Sequence, residues 1–474
     1  MLPPWRAVQH SRLRLLHFLL LPTALVAFGC ATSGETAAKR ALASRDTAFR
    51  EERSASGDDN DGERSLEDGR LESYIAYALK NSPELEALFE RWQAGVHRIT
   101  VARRLPDPVI SYAYFIRNVE TRVGPQRHRL SLKQTFPWPT KLSAGADAAS
   151  AKARALEKRF DARAVAIAAA VAEKYWTIWG LKAERAIHEE HVEILKGLST
   201  SAQALLMTGR IALADKQQID LNTARIEDLL HAIDEKVAKA EAALRALIGA
   251  PQSTRVPITS TPRKSGVSVD EAALLQDVRA HPYLLSLDDL SEADAEAAKR
   301  ENADRYPSFT LGLDWIETGR TSMPDVADNG KDAVLIGLGI SVPLWQSNYQ
   351  EGVAAYEAES RAYRAEKQAA QDKAEALFYA ILSDLRDADR RINLYEHTLI
   401  PQAETVYESV VGTYVSGAGS IAALLLAEQD LLDLRVALKQ TETAFAKGWA
   451  ALSNVVGHPV STPPSPGKEN GGAE

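Results

Sequence analysis

The sequence predicts a mainly α-helical protein with a membrane β-barrel portion, built by duplicating one unit: a strand hairpin joined to a long helical hairpin. Three observations carry this. First, landmarks of the first half return in order in the second. Pro83 recurs as Pro282 and Pro108 as Pro307, each 199 positions on, whereas Pro137 recurs as Pro343 (206 on) and Gly209 as Gly417 (208 on). One insertion between Pro307 and Pro343 explains the change of offset, so the architecture is duplicated. Second, the stretch from Thr140 to Met207 holds no proline and few glycines; its roughly seventy residues would make a helix of about 100 Å. Third, four runs of about ten residues alternate apolar and polar side chains, the length of a tilted strand across a bilayer.

Composition agrees. Of 474 residues, 45% are apolar but only 7% aromatic, which favours long helices over an aromatic-rich core. The net charge is 56 − 64 = −8, which argues against a nucleic-acid partner. Beyond the N-terminus no apolar run is long enough for a spanning helix, so membrane contact must come from strands or a lipid.

Residues 1–29 read as an export signal: Arg6, Arg12 and Arg14 precede an apolar run from Leu15 to Gly29. The run ends at Cys30, the chain's one cysteine, which cannot form an internal disulfide. Gly29-Cys30 at that place resembles the bacterial lipobox, which implies acylation of Cys30. Ala27 and Phe28 depart from that motif, and a plain signal peptide with an incidental cysteine is the alternative. Ala31 follows where an inner-membrane retention signal would have Asp, so the outer membrane is expected. Residues 30–70, rich in Ser, Gly, Asp, Glu and Arg, are expected to be a lipid-anchored flexible linker. The first repeat is assigned to 71–251, the second to 252–458, and a disordered tail to 459–474.

Within the first repeat a helix over 71–80 precedes Pro83, and another runs to about Arg104. Strands follow at about 108–117 and 126–135, then the long helix to Met207. Gly209 breaks it, and a return helix over about 212–248 is closed by Gly249-Ala250-Pro251. The second repeat has strands at about 307–317 and 333–342 with a longer loop between them, a helix over about 348–415, a break at Gly417-Ala418-Gly419, and a return to Val456. Pro401 is placed to kink the descending helix.

The strands set the environment. Ile110, Tyr112, Tyr114 and Ile116 share one face, as do Leu130 and Leu132; so do Phe309, Leu311, Leu313 and Trp315, and Val334, Ile336, Leu338, Ile340 and Val342. Phe115 and Leu335 break the alternation. A half-buried soluble sheet gives the same pattern, but these hairpins feed very long helices and nothing else in the chain could cover them. Lipid is then the apolar partner, and Arg127, Arg129, Lys133 and Asp314 on the opposite face are expected to line a water-filled lumen. Four strands cannot close a barrel, and open edges are not viable in lipid, so several copies must pool their hairpins.

From Leu71 to Val456 the chain resembles the TolC-like outer-membrane efflux proteins. The pieces that carry the resemblance are NSPEL, the FPWPTK and VPLW turns, and the helix breaks LLMTGRIALAD (205–215) and TYVSGAGSIAALLLAEQ (413–429), in this order and duplicated. FPWPTK looks most like the branch serving heavy-metal cation exporters of the RND type. The resemblance implies a homotrimer with a twelve-stranded barrel and a periplasmic helical tube. It implies a passive exit duct, coupled through a membrane-fusion adaptor to an inner-membrane pump. The adaptor would meet Thr208, Gly209, Arg210, Ile211 and Ala212, and Ser416, Gly417, Ala418, Gly419, Ser420 and Ile421. Where well-studied members narrow the mouth with aspartates, this chain has Ala423 and Leu426. The expected periplasmic gate is therefore apolar, with Asp215 supplying its charge.

No nucleophile elbow, phosphate-binding loop or cysteine ligand set occurs, and no enzymatic activity, cofactor or metal is expected. His188-Glu189-Glu190-His191 lacks zincin spacing and is expected to be a solvated helix face. Two other functions fit the same pattern: the exit duct of a type I protein-secretion system, and a coiled-coil lipoprotein scaffold without a pore.

Overall fold

The computed structural model describes residues 33–54, 66–262, 266–416 and 418–460. The signal segment, Cys30 and the tail from 461 lie outside the described residues. The helices are α1 (Ser33–Ser54), α2 (Leu71–Asn81), α3 (Pro83–Ala102), α4 (Pro139–Met207), α5 (Leu213–Ile248), α6 (Glu271–Arg279), α7 (Pro282–Ala303), α8 (Gln346–Leu394), α9 (Ile400–Val415) and α10 (Ile421–Val456). The strands are β1 (Val109–Thr121), β2 (Gly124–Phe136), β3 (Ser308–Thr318) and β4 (Ala333–Ser341).

Local chemistry sets the helix ends. Ser82 Oγ accepts from the Leu85 N–H and Pro83 occupies the first turn of α3, where its missing N–H costs nothing. Asp270 caps α6, and Ser420 caps α10 by accepting from the Ala423 N–H. Helices α5 and α10 both stop at a left-handed glycine, Gly249 (φ 75°) and Gly457 (φ 89°), a backbone state that disfavours any Cβ.

One expectation fails here. Over 33–54 the chain is helix, not tether. Ala38 and Leu42 of α1 pack against Phe89, Trp92, Val96 and Ile99 of α3. Glu35 is fully buried, with Arg103 Nε 2.6 Å and Lys39 Nζ 2.7 Å away. Burial pushes its carboxyl up, but Lys39, Thr100 and Arg103 more than offset this and hold it below the usual range. A paired buried charge of this kind fixes where the helix docks.

Helix α4 is the common wall: α3, α5, α7 and α10 all pack on it, and α7 and α10 also pack on α8. Close approach near the sheet is possible because α4 there buries only small residues, Ala144, Gly145, Ala146, Ala148, Ser150, Ala151, Ala153 and Ala155. The two return helices end against the helices nearer the sheet. A Cβ on Gly249 would lie 3.3 Å from the Asn81 carbonyl oxygen, and one on Gly457 would lie 2.9 Å from His281 Cδ2. Thus α5 meets the α2–α3 turn and α10 meets the start of α7, the same joint in both repeats.

The sheet runs β1-β2-β3-β4, all antiparallel. Neither outer edge, of β1 or of β4, is paired among the described residues. Between Tyr114 and Val119 the β1–β2 register shifts. Residues 115–118 stand in this bulge, which explains why Phe115 breaks the alternation. Pro401 does not break its helix. The chain widens into a π-turn, Tyr395–Leu399, in which the Ile400 N–H donates to the Tyr395 carbonyl; the wider turn accommodates a proline that has no N–H to give.

Candidate functional site

The register sorts the sheet into two faces. Ile110 opposes Leu132, Tyr112 opposes Leu130, Leu130 opposes Trp315, Leu132 opposes Leu313, and Leu313 opposes Ile336. Ile110, Tyr112, Leu130, Leu132 and Ile336 stay exposed, Ile110 at 71% and Ile336 at 80%, while Leu313 and Trp315 are half-buried; contiguous exposed apolar surface of this kind marks a membrane or protein contact. Interrupting it toward the β1–β2 turn, Tyr112 Oη lies 2.6 Å from His128 Nδ1, and His128 Nε2 lies 3.5 Å from Glu317. Sequence reasoning missed this polar trio, although the alternation of β2 already puts His128 in phase with Leu130.

On the other face, Ala113 opposes Arg129, Ser131 opposes Asp314 and Lys133 opposes Gly312. Arg129 pairs with Asp314 at 2.9 Å. Leu335 sits on this face opposite Asp314. Arg127 leaves the row: β2 gains a residue between Gln126 and His128, and its guanidinium lies against Gly319.

The helical tips meet each other. Gly209 turns α4 into α5 at φ 71°, and the Arg210 N–H donates to the Leu205 carbonyl at 2.9 Å. Thr208, Gly209, Arg210 and Ala212 are exposed and Ile211 is half-buried. In the second tip Ser416, Ala418 and Ser420 are exposed and Gly419 is half-buried, while Gly417 lies outside the described residues. Ile421 corrects the sequence reading: it is buried in the cluster that joins the tips, with Leu195, Ala202, Ile219, Tyr414, Leu424 and Leu425. A side chain already covered by its own chain is a poor partner contact.

Asp215 accepts from the Ala212 N–H at 3.1 Å and so caps α5. The Tyr414 hydroxyl is buried with no hydrogen-bond partner. Burial pushes it up, and the nearby charge of Asp215 adds to the shift. Ala423 and Leu426 are exposed on α10, Leu426 at 63%. Asp430 and Asp433 are also exposed, and at i+4 and i+7 from Leu426 they continue the same helical stripe. The apolar pair is therefore followed within two turns by carboxylates, which the sequence reading passed over.

His188 and His191 are a second correction. Rather than facing solvent, each is 6% exposed, turned toward α10, where His191 Nδ1 lies 3.1 Å from Glu428.

A duplicated hairpin sheet, apolar on one face and polar on the other, feeding paired helices of up to 69 residues, is the architecture of a TolC-like outer-membrane channel. VceC, an outer membrane protein of Vibrio cholerae, shares it with a TM-score of 0.67 and 20% identity, over 82% of this chain and 96% of its own. CusC matches with a TM-score of 0.68 at 16% identity, over 82% and 92% of the two chains. The CmeC outer membrane channel of Campylobacter jejuni gives 0.67 at 14%, over 82% and 85%. No curated protein matches in sequence. Residues 288–458 match the family described as outer membrane efflux protein. That match lies within the second repeat, and the fold of the whole is TolC-like.

Proposed function

We propose that the chain is the exit duct of a tripartite efflux system. Three copies would pool their hairpins into twelve strands, and the helices of the two repeats (71–251 and 252–458) would line a periplasmic tube. A membrane-fusion adaptor would dock on the exposed tip residues Thr208, Gly209, Arg210, Ala212, Ser416, Ala418 and Ser420, and would link the duct to an inner-membrane pump. Acylated Cys30 would anchor each copy to the outer membrane. The carrying observation is the four-stranded sheet with an exposed apolar face and two unpaired edges, which is stable in lipid only when other copies close it. Arg129, Lys133 and Asp314 are then lumen-facing, and Ala423 and Leu426 form the mouth, with Asp215 held as a helix cap. The FPWPTK turn supports heavy-metal cations as cargo.

In planar bilayers the purified protein should conduct, and on gels it should run as an oligomer that heat dissociates. Cross-linking through the tips in cells should capture an adaptor and an efflux pump. Capture of a protein-secretion ATPase would favour the secretion duct, and absence of both conductance and oligomer would leave only the scaffold.

A further inference from the structure

Where α4 and α10 join the two repeats, their contact is polar in a place that helix packing ordinarily fills with apolar side chains. His188 and His191 of α4 and Glu428 of α10 are all at least nine-tenths buried. His191 Nδ1 approaches Glu428 Oε1 to 3.1 Å, yet neither Glu428 oxygen receives an aligned hydrogen bond. His188 Nδ1 is also buried without a partner, and its Nε2 lies 4.0 Å from Glu184. Buried ionisable groups left this poorly satisfied are costly, and nothing in the duct reading accounts for them.

The surrounding charges come from α4, α9 and α10, and Asp234 of α5 pairs with Arg185 of α4 at 2.6 Å. Glu184 faces His188 from α4, and Asp433 acts on it from α10. Tyr407 of α9 has its hydroxyl pushed up by burial and by Glu428. At the exposed margin Arg435 of α10 bridges Glu190 of α4, at 3.4 Å, and Glu404 of α9, at 2.9 Å. Burial, helped by His191, keeps His188 below the usual imidazole range despite Glu184 and Asp433.

We propose that this seam is a proton-binding site: packed around His188 near neutral pH it keeps the α9–α10 hairpin against α4, and proton uptake at His188, which has no buried partner for the charge, releases it and opens the mouth. Opening rests on the duct reading; the seam site does not. Glu428 lies seven residues into α10, about 10 Å from its start, so a loosened seam acts directly on the tip. The sign follows from linkage. Well above the ordinary imidazole pKa His188 is neutral whether the seam is packed or hydrated. Because burial lowers its value in the packed seam, falling pH protonates the hydrated seam first, so acidity favours separation, by at most about tenfold per pH unit for one proton.

The test uses the full chain in bilayers at about pH 7.5 and about pH 5.5, with a short bis-maleimide bridging Glu190→Cys and Arg435→Cys across the seam as a separate readout. On acidification the open probability should rise several-fold and the cross-link yield should fall. His188→Gln, which leaves the other histidines in place, should make both readouts flat. An unchanged pH response in His188→Gln, or equal wild-type cross-link yields at the two pH values, overturns the proposal. A pH-dependent cross-link without conductance in any form overturns the duct reading and leaves the seam site standing.

Discussion

Gly249 and Gly457 hold the same place in the two repeats but are not equally replaceable. Both have positive φ, so alanine at either costs about 1 kcal/mol of backbone strain. At Gly249 the added Cβ meets only a carbonyl oxygen at 3.3 Å. At Gly457 it would meet His281 Cδ2 at 2.9 Å and Pro282 Cδ at 3.0 Å, both held by the first turn of α7. Gly457→Ala should therefore destabilise by about 1–3 kcal/mol more than Gly249→Ala, read as a larger drop in the heat-dissociation midpoint of the oligomer. Both glycines are visible in the sequence as helix stops, but their different neighbours are not. The same limit explains His188 and His191. An H-x-x-H pair on a helix carries no mark of which neighbour its face meets, and Glu428 lies 237 positions from His191.

Most helix and strand ends match the sequence expectation to within a few residues, because prolines and glycines fix the ends and because nearly seventy residues without proline and with few glycines leave few alternatives. The miss was α1. Its buried stripe is Ala38 and Leu42 with the charged Glu35, and a composition test for disorder counts such a segment as polar. What docks it is an ion network with α3 that periodicity does not register. The π-turn before Pro401 was foreseen as a kink but not in its form. Restoring the missing donor with Pro401→Ala should let the turn tighten toward α-helix, raising stability by up to about 3 kcal/mol. Slower hydrogen exchange over 395–402 would report it. Because the turn holds an extra residue, tightening it should also rotate Tyr407, Val410 and Val411 away from the tip cluster.

The four-stranded sheet, with exposed apolar side chains on one face and an unpaired edge on each side, was legible in the apolar alternation and the strand count. The bulge at 115–118 and the displacement of Arg127 were not, since register depends on the partner strand. Assembly should depend on which face is charged. Ile336→Lys, on the apolar face, should cost about 2–4 kcal/mol near the bilayer centre and abolish the heat-labile oligomer in membranes. Thr310→Lys, on the polar face, should leave the oligomer intact and change its conductance.

The two glycine joints also divide the wall mechanically. Helix α4 is one rod, and α8 with α9 is another, continuous through its π-turn. Between and beside them run columns made of two pieces butted end to end at Gly249 and Gly457, with no backbone crossing the splice. A spliced column transmits compression but resists torsion poorly. Torsion applied at the tips therefore reaches the sheet along α4 and α8–α9, while α5 and α10, held laterally by their packing on α4, have no backbone path that carries it past their joints.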